Sequence, residues 1–401
     1  MNSILRQPRH FALLLLTTAC TRSQASTRAV EAERGRVGCC AKDTLACGTC
    51  SPDNHCEGCT CLPRNKPGEH CPDGRTLPAS TKAQASGGPP IGRAQMRWSP
   101  GDYRPCPTDG SLGFGDVNAD GRADLVCMKG HDIGVSLTNQ DGTFVPVTQL
   151  TSGRVSCLAS GFAVTDLNGD GRDDLVSAPH CGGLASPDAK FPGISWNNPT
   201  TWCSHGGARI LLGDLNGDKR TDALCSDRTG FKWGLLTEPS GVLGPTGWSR
   251  DMGWCYHEGS AIHLGDLNGD GRSDMLCHDT VTGYKWGVMT EPNAEPGANS
   301  WELDMQWCHH PGARLLVGDF DGDKRTDMLC NDRAGHLWIA YANHEGRFDE
   351  RRWEAPAEFC KGHPQALQVH DFNGDERDDL FCQLGNEIWV TYADAGGVFA
   401  D

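Results

Sequence analysis

The strongest constraint on this chain is an acidic ten-residue segment that recurs six times. The copies are 115–124, 165–174, 213–222, 265–274, 318–327 and 370–379. Their first aspartates, Asp116, Asp166, Asp214, Asp266, Asp319 and Asp371, lie 50, 48, 52, 53 and 52 residues apart. A repeat of about 50 residues that reads as short strands is the signature of a propeller or similar array. The third unit shows the pattern. Ala208 to Leu212 is an apolar strand entering the acidic loop, and Ala223 to Cys225 starts a second. Phe231 to Leu236 is a third, Ser240 to Gly247 a turn-rich connection, and Trp248 to Trp254 a fourth. Four antiparallel strands per unit make one blade. The expected fold is all-β: a β-propeller of six blades, preceded by a small disulfide-rich domain. Seven blades are the alternative, but the spacing leaves no room for another unit. The last unit ends at Phe399 without its fourth strand. A Trp-bearing strand around Trp98, ahead of Cys106, is expected to complete it and close the ring, removing two exposed edges.

Composition fits this reading. With 51 Gly in 401 residues turns are frequent, and 12 Trp argue against a disordered chain. The net charge of −16 excludes a nucleic-acid backbone as partner, since phosphates need Lys/Arg patches. No apolar run reaches the ~18 residues of a membrane helix. Residues 1–25 read as a signal peptide, with Arg6 and Arg9 before the apolar stretch Phe11 to Leu16. The chain is therefore expected to be secreted. A lipid anchor through Cys20 is the alternative, because Thr17-Thr18-Ala19-Cys20 weakly matches a lipoprotein box. The 21 cysteines fit an oxidising compartment, and 20 remain without Cys20. Residues 26–71 form a cysteine-dense module. It holds eight cysteines between Cys39 and Cys71, for which disulfides outweigh a zinc site. Residues 72–96, rich in Pro, Gly, Ser and Ala, read as a flexible linker, and 97–401 as the propeller.

Each acidic loop reads D-x-[N/D]-x-D-x-R-x-D. Oxygen donors at positions 1, 3, 5 and 9, with the carbonyl at position 7, suit Ca²⁺, up to six ions in all. The expected ligands in the first three loops are Asp116, Asn118, Asp120, Arg122 and Asp124; Asp166, Asn168, Asp170, Arg172 and Asp174; and Asp214, Asn216, Asp218, Arg220 and Asp222. In the last three they are Asp266, Asn268, Asp270, Arg272 and Asp274; Asp319, Asp321, Asp323, Arg325 and Asp327; and Asp371, Asn373, Asp375, Arg377 and Asp379. Glycine at position 4, replaced by Ala119 in the first loop, permits the tight turn. An EF-hand would need Glu at position 12, which is here Cys127, Ser177, Cys225, Cys277, Cys330 or Cys382. A metal-free acidic turn held by Asx hydrogen bonds is the competing reading.

These loops resemble the FG-GAP/VCBS repeats of integrin α-subunit propellers and of secreted lectin-like proteins, over residues 97–401. The resemblance implies calcium at the positions above. It does not imply integrin-type adhesion. Integrin propellers have seven blades and lack calcium loops in several, whereas this chain has six units, all with loops.

Two cysteines per unit bracket each loop: Cys106/Cys127, Cys157/Cys181, Cys203/Cys225, Cys255/Cys277, Cys308/Cys330 and Cys360/Cys382. One disulfide per blade is expected, with pairing to a neighbouring blade as the alternative. A loop of about 22 residues gives on the order of 3 kcal/mol in the chain-entropy account. Trp-Cys-x-His recurs as Trp202 to His205, Trp254 to His257 and Trp307 to His310. These residues either pack blade against blade or form sugar pockets between blades.

The expected function is non-catalytic, lectin-like binding of glycans or glycoproteins. The alternative is an extracellular matrix or cell-surface adhesion protein that binds proteins. An enzyme, such as a polysaccharide lyase or hydrolase, is the least supported class. The acids fall almost wholly in equivalent loops, and no one acid/base pair stands out.

Overall fold

The computed structural model describes strand segments 37–41, 47–50 and 59–63. It also describes residues 111–399 except 141, 146–156, 158–160, 199, 349–350, 357 and 385–386. The chain divides into two units at 83/84. In the first, β1 (Val37–Ala41) pairs antiparallel with β2 (Cys47–Cys50) on one side and β3 (Cys59–Pro63) on the other.

The second unit is a six-bladed propeller. Blade 1 holds β4 (Ser111–Gly115), β5 (Asp124–Lys129) and β6 (Asp132–Ser136). Blade 2 holds β7 (Ala163–Thr165), β8 (Asp174–Ser177), β9 (Cys181–Gly183) and β10 (Trp196–Asn197). Blade 3 holds β11 (Arg209–Gly213), β12 (Asp222–Ser226), β13 (Phe231–Thr237) and β14 (Leu243–Asp251). Blade 4 holds β15 (Ser260–Gly265), β16 (Asp274–Asp279), β17 (Tyr284–Thr290) and β18 (Pro296–Asp304). Blade 5 holds β19 (Arg314–Gly318), β20 (Asp327–Asn331), β21 (Leu337–Ala340) and β22 (Arg352–Ala355). Blade 6 holds β23 (Leu367–His370), β24 (Asp379–Leu384) and β25 (Glu387–Thr391). Each of these six sheets is an antiparallel meander in chain order.

The fourth strand of blade 3 differs from the sequence expectation. It runs from Leu243 to Asp251 rather than from Trp248 to Trp254. The Gly-Pro-Thr-Gly stretch reads as a turn, yet a register shift between Leu235 and Thr237 lets it continue the sheet. The closing strand expected near Trp98, the disulfide pairing of the first unit and Cys106 lie outside the described residues.

Closure of the ring is visible without Trp98. Six clusters of buried apolar side chains sit one at each blade junction, and one of them joins blade 6 to blade 1 through Phe372, Phe381, Phe114 and Leu125. Phe114 meets Phe372 edge-on at 5.6 Å and Phe381 at 4.6 Å. Burial of such aromatic surface supplies most of the drive for blade association. Within blades 2, 3 and 4 the strand-4 tryptophans Trp196, Trp248 and Trp301 lie flat across Gly182, Gly234 and Gly287, where a Cβ would collide with the indole.

Disulfides join Cys157 to Cys181, Cys203 to Cys225, Cys255 to Cys277, Cys308 to Cys330 and Cys360 to Cys382, tying the entry of each blade to its second strand or, in blade 2, to its third. Cys127 is also disulfide-bonded.

The meander fixes two faces. The loops joining strands 1 and 2 and strands 3 and 4 emerge on one. The hairpins joining strands 2 and 3 emerge on the other, with the connections between blades. All six acidic loops therefore share one face. Eight of the twelve histidines beyond residue 110 fall in segments of the other: His131, His180, His205, His257, His309, His310, His336 and His363.

Candidate functional site

The acidic loops are built around the position-1 aspartate. In loop 1, Asp116 Oδ1 accepts from the Asn118 and Asp120 amides, and Oδ2 from the Gly121 amide at 2.7 Å. The other loops repeat this wrapping. Position 4 is left-handed in every loop, including Ala119 at φ 60°. Position 6 is left-handed too, and there Lys219, Lys324 and Glu376 bear the steric cost.

Position 9 is buried and doubly engaged. Asp222 Oδ1 accepts from the Thr237 amide at 2.7 Å and Oδ2 from the Leu215 amide at 3.0 Å. Asp124, Asp174, Asp274, Asp327 and Asp379 do the same. Each thus ties its loop to the end of strand 3. Burial pushes these carboxyls up, against the pull of the amides: to about 7 for Asp124, Asp174, Asp222 and Asp274, about 8 for Asp379 and about 9 for Asp327.

Position 7 does more than offer a carbonyl. The guanidiniums of Arg122, Arg172, Arg220, Arg272, Arg325 and Arg377 each pair with the position-5 aspartate. In every blade but the second, Nε also donates to a carbonyl at or just past the end of strand 3, as in Arg220 to Thr237 at 3.0 Å. Adjacent loops are stitched in turn. The position-8 amide donates to the position-1 carbonyl of the preceding loop at 2.6–2.7 Å, and Ala123 to Asp371 completes the circle.

Loop 5 differs from the rest because Asp321 replaces asparagine. Oxygens of Asp319, Asp321 and Asp327 lie within 4.8 Å of one another. Asp321 Oδ2 accepts from Arg351, while its Oδ1 is buried with no hydrogen-bond partner. In loops 1 to 4 the position-3 Asn amide donates to the position-5 aspartate, as in Asn118 to Asp120 at 2.9 Å.

The opposite face carries a different constellation. His205 Nε2 lies 3.3 Å from Asp227 Oδ2, His257 3.6 Å from Asp279 and His310 3.8 Å from Asp332. Each imidazole packs edge-on against an indole of its own blade: Trp233 at 5.1 Å, Trp286 at 5.8 Å and Trp338 at 5.4 Å. A second ring packs against each indole, Phe231 and Tyr284 tilted by about 30° and His336 edge-on. Partial burial raises the Asp227 carboxyl. Its bonds to Thr229 and the nearby His205 outweigh this and leave it below the ordinary value. Asp279 is lowered likewise, against its burial, by Thr282 and the Val281 amide, with His257 adding to it.

The structure divides the Trp-Cys-x-His elements between two surroundings. The histidines of the Trp-Cys-x-His elements meet Trp233, Trp286 and Trp338, not Trp202, Trp254 and Trp307. Those three pack into the blade junctions instead. Two of them also take a buried cation: Lys232 Nζ donates to the Trp254 carbonyl at 2.8 Å and Lys285 Nζ to that of Trp307 at 2.9 Å. Burial holds Lys232 down at about 8 and Lys285 at about 7. The sequence reading also missed Asp227, Asp279 and Asp332, although a recurring Asp-x-x-Gly or Asp-x-x-x-Gly after strand 2 marks them.

Residues 116–177 and 319–382 match the FG-GAP-like repeat. The chain carries FG-GAP-like repeats. It is also similar to cartilage acidic protein 1 of Xenopus tropicalis, 20% identical over 190 residues, covering 46% of this chain and 29% of that protein. It thus spans under a third of that relative's length. Among solved structures it is similar to an Agrocybe aegerita lectin that recognises non-reducing terminal N-acetylglucosamine. The TM-score is 0.52 at 16% identity, over 73% of this chain and 79% of the lectin. That likeness is one of fold. Among the described residues, no helix is long and apolar enough to cross a membrane.

Proposed function

We propose that this FG-GAP-like propeller is a secreted, non-catalytic protein that recognises glycans on the face bearing the His–Asp–Trp clusters. The observation that carries the reading is the recurrence, in blades 3, 4 and 5, of a half-buried indole flanked by an imidazole and a carboxylate. An indole offers a flat apolar surface to the C–H face of a pyranose, and His and Asp suit its hydroxyls. Three weak sites on one ring would act together on a repeated glycan. The fold shared with a lectin supports this reading. The disulfides of the blades suit an extracellular setting, with a lipid tether through Cys20 as the alternative.

Calcium belongs to the same proposal. Loop 5 fits a hard cation best, with three converging carboxylates and the orphaned Asp321 Oδ1. Asp319, Asp321, Asp323, Asp327 and the Arg325 carbonyl would hold it. The equivalent residues of the other five loops offer the same set with Asn at position 3. A bound cation would neutralise clustered charge and fix the loop face.

A second reading, recognition of an extracellular protein, is favoured by Tyr256 and Val281. These are large apolar side chains, 48% and 67% exposed on the same face of blade 4. A glycan array probed with the full chain in calcium separates the two. The proposal expects binding that free sugar competes. Silence on a broad array, with capture of an extracellular matrix protein, would favour the second reading.

A further inference from the structure

The connection between blades 5 and 6 is as long as that between blades 2 and 3, 198–208, and longer than the two that follow blades 3 and 4. It spans 356–366, against 252–259 between blades 3 and 4 and 305–313 between blades 4 and 5. The added length ends in a 3₁₀ turn, Pro364–Ala366. The half-buried Arg314 guanidinium pins this turn by donating to the carbonyls of Pro364 at 3.1 Å, Gln365 at 3.2 Å and Leu367 at 2.7 Å. Between the turn and the preceding connection opens a cavity of about 510 Å³, lined by Gly312, Arg333, His363, Pro364 and Gln365 among others. That volume lies in the range of small-ligand sites, about 300–1,000 Å³.

Arg333 is the cationic side chain of this cavity, and it is set in place. Its stem lies on Gly312, where a Cβ would come within 2.9 Å of Arg333 Cδ. Among the described residues its guanidinium has no hydrogen bond or ion pair. The adjacent carboxylate does not neutralise it. Asp332 Oδ1 accepts from the His336 amide at 2.9 Å, and Oδ2 faces His336 Nδ1 at 3.3 Å and His310 Nε2 at 3.8 Å. No carboxylate lines the cavity. Blade 3 has the equivalent Arg228 over Gly207, but it faces a connection three residues shorter.

We infer that this cavity binds a saccharide bearing an oxyanion, a carboxylate or a sulfate, with Arg333 as its bidentate partner. A guanidinium matches either group in plane and charge. Gln365 and His363 would serve the ring hydroxyls. The inference rests on the glycan reading above and adds a charge preference confined to one blade junction.

Calorimetry tests it on the full chain, using an oligogalacturonate, a 6-sulfated N-acetylglucosamine oligomer and its neutral parent, with R333Q and R228Q as variants. The expected result is that R333Q weakens one or both anionic ligands at least tenfold and leaves the neutral parent unchanged. R228Q should leave the anionic ligands within about twofold. Which anionic ligand responds identifies the oxyanion. Equal anionic binding by wild type and R333Q would overturn the inference. So would binding of the neutral parent alone, which leaves the glycan reading standing. Failure of all three ligands, with the wild type silent on the array, would overturn both. An unchanged melting temperature for R333Q, whose side chain is exposed, shows that folding is not the cause.

Discussion

The two faces of the ring are built on opposite principles. On the acidic face, six loops repeat the same hydrogen bonds almost without variation, and each passes one bond to the next around the circle. On the other face each blade has its own set. Blade 3 presents Phe231, blade 4 Tyr284 and blade 5 His336, each against an equivalent indole. Uniformity marks a part whose task is the same at every position, which is holding blades in register. Variation around a constant aromatic marks a part that meets something else.

The largest effect should come from breaking the uniform face. Asp222→Ala would orphan the buried amides of Leu215 and Thr237. At about 1–3 kcal/mol each, the loss is on the order of 2–6 kcal/mol. A denaturant melt should show it with or without calcium. His205→Ala, at a half-exposed imidazole, should stay within about 1 kcal/mol.

Chelation comes next. If the loops hold calcium, excess EGTA should lower the melting temperature by several degrees and open the propeller to protease. An unchanged melt would leave the loops as metal-free Asx turns.

A smaller effect separates blade 4 from blade 3. His263 and His278 stand in blade 4 where blade 3 has Leu211 and Ser226. Burial takes His263 down to about 4, with Lys285 and Arg314 facing it. It takes His278 to about 3, with Lys285 and His263 adding to the fall and Asp279 opposing it. An unfolded histidine titrates near 6.5. Between about pH 6.5 and 4 the unfolded chain therefore gains protons that the folded chain refuses, and stability falls as pH drops. The double variant H263L/H278S should flatten that acid limb. At pH 4.5 its melting temperature should lose several degrees less than that of the wild type, relative to pH 7.

The smallest effect is a gain. Lys219 holds φ 68° at position 6, where loops 1, 2 and 4 have glycine. Lys219→Gly should stabilise by up to about 1 kcal/mol, partly offset by the added freedom of the unfolded chain.

The uniform face was legible in the sequence because a tight turn that points several oxygens inward admits few residue types. The strands of blade 3 were legible through Val/Leu/Ile content and the loops between them, except where Gly244 and Pro245 disguised the start of β14. The variable face was not. Trp202 and His205 are neighbours in sequence, yet the indole enters a blade junction while the imidazole turns to Trp233 on a strand more than 25 residues later. Asp227 and Asp332 sit in hairpins whose Asp, Gly, Thr and Arg content suffices to explain a turn. Their meeting with a histidine depends on the approach of the inter-blade connection, which local sequence does not encode. Lys232 and Lys285 lie on amphipathic-looking strands, and only the neighbouring blade shows that they are buried.

The division of labour between the faces is tested most directly by one triple variant, H205A/H257A/H310A. Its binding on the glycan array and its melting temperature would be measured beside the wild type in calcium. The account predicts loss of glycan binding with the melting temperature within about 2 °C. Full glycan binding by the triple variant would contradict it.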